Sequence, residues 1–315
     1  MSNAFIFPGQ GSQEVGMGKA LADNFQAARD VFDEVDEALG EKLSALMWEG
    51  PKEDLTLTQN TQPALMAHSM AVMRVLETEF GISVKDNAAF VAGHSLGEYS
   101  ALAAAGTFSV GDAARLLRTR GEAMQRAVPV GQGAMAALLG VGLEAAEKVA
   151  AAAAEAGGVC QVANDNDPTQ VVLSGSKDAV DRVAEIGKAH GVRRAVPLPV
   201  SAPFHCALMQ PAADVMAEAL EGVEVRAPVV PVVANVGAAP ISDPEAIKKS
   251  LVQQVTGTVR WRECVMAMAG AGVTDFYELG TGKVLSGLVR RIAKEANATP
   301  AGTPDEIKVV ADLIK

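Results

Sequence analysis

The sequence predicts an α/β protein in two parts, a larger body around a mostly parallel sheet and a smaller inserted unit, and three observations predict it. An apolar strand at residues 88–92 runs through a tight glycine turn straight into a helical segment. Two later apolar strands are each followed by helical patterns, the arrangement that parallel strands require. Between Gly133 and Pro197 the signals run strand, helix, strand, strand, helix, strand, the βαββαβ order of a ferredoxin-like unit.

Taken in order, Ala4 to Phe7 reads as a short buried strand. Pro8-Gly9-Gln10-Gly11-Ser12-Gln13 ends it, because proline and glycine force a turn, and a helical pattern follows from about Met17. The first residues lack a basic segment followed by a long apolar run, so no signal peptide is expected. Pro63 suits the first position of a helix through Leu65, Met66, Met70, Met73 and Leu76, and Gly81 stops it. After the strand Ala88 to Ala92, Gly93-His94-Ser95-Leu96-Gly97 leads into Glu98-Tyr99-Ser100-Ala101-Leu102-Ala103, mostly good helix formers. The inserted unit has expected strands at 134–139, 159–163, 169–174 and 193–196 and helices at 143–156 and 177–190. Gly131-Gln132-Gly133 and Pro197-Leu198-Pro199 mark its junctions, which places the unit at residues 128–196 and the larger body at 1–127 and 197–315. Further strands are expected at 231–236 and 274–279. The tail from Lys294 begins polar, contains Pro300 and Pro304, ends in a short amphipathic stretch, and carries no functional assignment.

Composition excludes several classes of function. With 49% hydrophobic and 21% charged residues the chain has the make-up of a folded protein. Its apolar stretches are too short or too interrupted by charge to cross a bilayer, so no membrane contact and a cytoplasmic location are expected. Cys160, Cys206 and Cys264 are widely spaced with no Cys-x-x-Cys pair, which argues against disulfides and zinc. A net charge of −11 argues against nucleic acid and requires any anionic ligand to meet a local basic patch.

Gly93-x-Ser95-x-Gly97 has the spacing of a nucleophile elbow, a strained strand-to-helix turn that exposes the serine oxygen. A serine hydroxyl needs a base, and the chain has four histidines. His68 lies on the Met-rich helix, His190 at a helix end, and His94 beside Ser95 with its side chain diverging, so these read as structural. His205, in the turn Pro199-Val200-Ser201-Ala202-Pro203-Phe204-His205-Cys206, follows the serine in chain order and is taken as the base. The Pro8 to Gln13 turn and the Leu96 N–H are candidate oxyanion donors. Phosphate-loop and dinucleotide-binding readings of that turn fail, because Gln13, Glu14 and Ala20 stand where those motifs need other residues. Arg115, Arg118 and Arg120 cluster after the elbow. Spacing favours a helix surface for them, although an arginine fork would match a carboxylate.

Phe7-Pro8-Gly9-Gln10-Gly11-Ser12-Gln13, Thr58-Gln59-Asn60-Thr61-Gln62-Pro63-Ala64, Gly93-His94-Ser95-Leu96-Gly97-Glu98-Tyr99 and Phe204-His205-Cys206-Ala207-Leu208-Met209 together resemble the malonyl-CoA:acyl carrier protein transacylase family. Val259-Arg260-Trp261 and Glu278-Leu279-Gly280-Thr281-Gly282-Lys283 add later landmarks in the right order. The resemblance spans residues 4–293 and implies a hydrolase-like body with the active site in the cleft beside the insert. By matching positions it implies Ser95 as nucleophile, His205 as general acid/base, Arg120 as ligand of the malonyl carboxylate, and the Gln10 and Leu96 amides as oxyanion hole. Gln254 matches the residue whose main-chain carbonyl orients the histidine, so a dyad is expected although Asp165, Asp167 and Asp178 fall between serine and histidine. It further implies malonyl-CoA and acyl carrier protein as partners and no metal or redox cofactor; a monomer and a place in fatty acid biosynthesis are expected, with polyketide synthesis the alternative use of the malonyl group. Phe204 before the histidine fits malonyl-selective relatives, although other malonyl enzymes of the family carry serine there. An esterase or thioesterase would share the elbow and base, and a carrier-docking module would share the fold.

Overall fold

The computed structural model describes residues 3–200 and 202–315; Met1, Ser2 and Ser201, the last in the predicted turn before His205, lie outside them. The central sheet has six strands: β1 (Asn3–Phe7), β2 (Phe90–Gly93), β7 (Val232–Ala234), β8 (Ala239–Ile241), β9 (Asp275–Leu279) and β10 (Asn297–Ala301). Their order is β10-β9-β1-β2-β7-β8, and every pairing is parallel except the hairpin of β7 with β8.

Helices cover both faces of this sheet, and β1 shows why its sequence is apolar without alternation. Phe5 and Phe7 enter one core with Leu65 and Leu102, whereas Ala4 and Ile6 enter the opposite core with Trp261 and Leu288. A strand buried on both faces has no polar side to show water. Two sequence expectations change here. The helix holding Pro63 spans Thr58–Phe80, so the proline sits inside it and forgoes a backbone bond that the surrounding packing replaces. The tail adds an edge strand, β10, beside β9 and a helix at Pro304–Ile314 closed by a Thr303–Glu306 capping box. Pro300 is tolerated because β10 is the sheet's edge.

The second sheet has four strands, β3 (Gly133–Leu139), β4 (Cys160–Asp167), β5 (Gln170–Ser176) and β6 (Arg194–Pro197), antiparallel in the order β4-β5-β3-β6. Helices Leu143–Glu155 and Lys177–Ala189 complete the βαββαβ sequence. β4 runs four residues past its predicted end. The extension, Asn164 to Asp167, docks on the larger body through backbone bonds between Val259 N–H and Ala163 O at 2.8 Å and between Asp165 N–H and Val259 O at 2.9 Å. Two buried carboxylates find their partners across that seam, Asp165 with Arg262 at 2.8 Å and Asp167 with Arg291 at 2.6 Å, so neither charge is left unpaired. The seam holds the small sheet against the C-terminal end of the parallel strands, where open α/β sheets place their ligands. No helix among the described residues is long and apolar enough to cross a membrane. Cys160, Cys206 and Cys264 are free and buried.

Candidate active site

The turn after β2 is dictated by sterics. Ser95 has φ 54°, a left-handed backbone that costs a non-glycine residue roughly 1–3 kcal/mol unless its surroundings hold it. A Cβ on Gly93 would stand 1.9 Å from the carbonyl atoms of Gly97, and one on Gly97 would stand 2.3 Å from Phe7 O. Both positions therefore need glycine. Asn235, just beyond β7, clamps the turn: its Oδ1 accepts the Ser95 N–H at 2.8 Å and its Nδ2 donates to Gly93 O at 2.8 Å. The helix Gly97–Ala104 starts directly beneath, so its amide dipoles favour negative charge near Ser95.

His205 reaches Ser95 from the opposite wall, also with a positive φ of 58°. Its Nε2 lies 2.8 Å from Ser95 Oγ and its Nδ1 2.8 Å from Gln254 O. A carbonyl oxygen only accepts, so Nδ1 carries the proton and Nε2 accepts from the serine hydroxyl. Burial, followed by the nearby Arg120 cation, lowers the His205 pKa to about 3, which keeps the imidazole neutral at pH 7 and able to take a proton.

Arg120 completes the cluster and is 1% exposed. Its Nη2 donates to Ser95 Oγ at 3.1 Å and to Gln254 Oε1 at 2.8 Å, and its Nη1 donates to Gln62 Oε1 at 2.7 Å. All three acceptors are neutral. A buried guanidinium held only by neutral oxygens is a ready partner for an incoming carboxylate. Gln10 and Leu96 line the same cleft, of about 420 Å³, with Met135, Asn164, Leu198 and Phe204. Neither the Gln10 nor the Leu96 backbone N–H has a hydrogen-bond partner among the described residues. Both amides are therefore free to donate to a ligand in the cleft that holds Ser95.

Residues 4–303 match the family described as acyl transferase domain. The malonyl CoA-acyl carrier protein transacylase of Bacillus subtilis (strain 168) is 46% identical over 312 residues, 99% of this chain and 97% of that one. The chain belongs to the malonyl CoA-acyl carrier protein transacylase family. Within that family, the acyl-carrier-protein-S-malonyltransferase structure from Bartonella henselae superposes with a TM-score of 0.97 at 56% identity, covering 100% of this chain and 99% of that one. A malonyl-transacylase solved in complex with a type II PKS acyl-carrier protein superposes at 0.95 with 42% identity, covering 99% and 100%.

For this member of the transacylase family, the fold brings together Ser95, His205, Arg120, Gln10, Leu96 and Gln254, and separates the remaining candidates. Arg115 pairs with Asp112 on an exposed face, and Arg118 donates to Asn60 and Glu41. His94 turns away to Asn166 Oδ1 at 2.8 Å, His68 bonds Gly302 O at 2.9 Å, and His190 follows the helix Lys177–Ala189. Asp165 and Asp167 are committed to arginines and Asp178 is exposed, so none of the three reaches the His205 ring. Sequence reasoning missed Asn235, Gln62, Glu98 and the side chain of Gln254. Gln62 and Glu98 stand in the motifs that carry the resemblance, and Asn235 is the polar residue closing the apolar run Val232-Val233-Ala234, but none of these signals assigns a role.

Proposed function

We propose that the protein transfers a malonyl group from coenzyme A to the phosphopantetheine thiol of acyl carrier protein through a malonyl-serine ester. The observation that carries this reading is Ser95 Oγ, which at once donates to His205 and accepts from the buried Arg120. Ser95 Oγ attacks the thioester carbonyl carbon while its proton passes to His205 Nε2. The Gln10 and Leu96 amides hold the resulting oxyanion, the C–S bond breaks, and the coenzyme A thiolate takes the proton from the histidine. In the second half the carrier thiol gives its proton to His205, attacks the ester, and restores the serine hydroxyl, giving ping-pong kinetics. Arg120 binds the free malonyl carboxylate. Serine, histidine and amides supply all the chemistry, so the proposal invokes no cofactor.

The resemblance to carrier-dependent relatives supports acyl carrier protein as the acceptor and fatty acid biosynthesis as the pathway supplied. Three unpaired cysteines suit a reducing cytoplasm, and the negative net charge suits neither nucleic acid nor an anionic membrane surface. We take the working form to be a monomer. An acidic carrier needs a local basic surface, for which we take Lys188, Arg193, Arg194, Lys283, Arg290 and Arg291 as candidates; of these, Arg291 is held by Asp167 and Arg290 donates to Ala298 O. Intact-mass measurement after malonyl-CoA addition tests the reading. The wild type should gain one malonyl mass, discharged by carrier protein, and Ser95→Ala should gain none. Malonate released by water alone as fast as carrier is loaded would make the protein a thioesterase instead.

A further inference from the structure

Glu98 takes no part in the chemistry above, yet it is 1% exposed and lies three residues after the serine. Its Oε2 accepts from the Asn235 N–H at 3.0 Å and from Gln254 Nε2 at 2.8 Å. The same Gln254 Nε2 donates to Ser95 O at 3.0 Å, and Gln254 Oε1 faces Arg120 Nη2 at 2.8 Å. An amide has one donating and one accepting end, so whatever holds the donating end decides what the other end offers. Gln254 Nε2 also lies 3.3 Å from Asn235 Oδ1, and Glu98 Oε2 is the nearest of its three acceptors. Turned over, Gln254 would set its oxygen against these three oxygens and its NH₂ against the Arg120 cation, so four oxygens would crowd together while two donors faced each other.

We propose that Glu98 is a positioning residue for carboxylate-bearing acyl groups: by accepting the Gln254 N–H it sets that amide's polarity and so presents Gln254 Oε1 to the Arg120 guanidinium. The inference rests on the reading of Arg120 as the malonyl ligand. Glu98 Oε1 is buried with no hydrogen-bond partner among the described residues, so only the Oε2 side is engaged. Burial lifts the Glu98 pKa to about 7, and a proton on Oε1 leaves the Oε2 acceptor in place. The position of the acceptor therefore matters more than its charge. Guanidinium placement in turn decides how well a substrate carboxylate is gripped, because an error of about 1 Å in a positioning contact can cost on the order of a hundredfold in rate.

Two substitutions separate reach from charge. Glu98→Gln keeps the length and, with its oxygen toward the two donors, the acceptor. Glu98→Asp keeps the charge and withdraws the acceptor by one methylene. Malonyl and acetyl transfer would be compared by kcat/KM in folded protein, with Arg120→Ala alongside. We expect Glu98→Gln to hold the malonyl-to-acetyl ratio within about threefold and Glu98→Asp to lower it by about tenfold or more. An unchanged ratio in Glu98→Asp, equal losses for both donors, or a lowered ratio in Glu98→Gln overturns the proposal. An Arg120→Ala protein that loses both donors equally removes the reading of Arg120 itself and this inference with it. A selective loss there with none in Glu98→Asp removes the inference alone.

Discussion

His205 Nδ1 is bonded to the main-chain oxygen of Gln254 at 2.8 Å, so the imidazole beside Ser95 is oriented by backbone rather than by a carboxylate. A triad aspartate adds negative charge that favours the protonated ring, whereas a carbonyl fixes only the tautomer and the ring angle. With the Arg120 cation also near, the imidazole of this site stays strongly biased toward its neutral form.

Because the anchor is backbone, a side-chain change at 254 leaves it standing. Gln254→Leu removes the acceptor that faces Arg120 and the donor to Ser95 O while the His205 contact survives. Acetyl transfer should fall by no more than about tenfold and malonyl transfer by about a hundredfold, measured as kcat/KM for each donor. An equal collapse of both would mean that the side chain holds the elbow rather than the guanidinium.

The low His205 pKa sets the acid side of the pH profile. The group must be neutral to accept the serine proton, and its pKa of about 3 in the free protein leaves it neutral well below its ordinary value of 6.5. The kcat/KM for malonyl-CoA, followed from pH 8 to 4.5 with short assays, should show no inflection near 6.5. A midpoint there that persists in Glu98→Gln, which lacks the other buried group titrating near 7, would place the histidine in a far more solvated setting.

Gly93→Ala should fail to hold the elbow, since the added Cβ would lie 1.9 Å from two backbone atoms that cannot retreat. A loss of about 3 kcal/mol or more in urea unfolding, or insoluble protein, is expected. A folded variant that still acylates would show that β2 and the following helix can move apart.

His68 ties the long helix to the chain near the C-terminus through Gly302 O, and burial lowers its pKa from 6.5 to about 4. The unfolded chain therefore binds a proton between pH 6.5 and 4 that the folded protein refuses, so stability falls as pH drops through that window. In His68→Gln the corresponding slope, about 1.4 kcal/mol per pH unit for one proton, should be missing from urea midpoints compared at pH 7 and pH 5. Parallel curves for the two proteins would locate the acid sensitivity elsewhere.

Chain order together with motif resemblance nominated His205, and resemblance alone nominated Arg120; by itself the sequence determined what local chemistry can dictate: the glycine-flanked turn at Ser95, the βαββαβ order of the small unit and the apolar strands. Those features depend on residues near one another in the chain, where hydrophobic period, helix propensity and backbone sterics act directly. Only the tertiary structure decided that Gln254 serves the histidine with its backbone and Arg120 with its side chain, that Asn235 clamps the elbow, and that Glu98 is buried behind both. Ser95 and Gln254 are 159 residues apart, and a hydrogen bond between an amide and a main-chain carbonyl leaves no periodicity in either segment. The C-terminal strand was hidden for a related reason: a proline-containing edge strand is stabilised by pairing with β9, and nothing in its own five residues announces that partner.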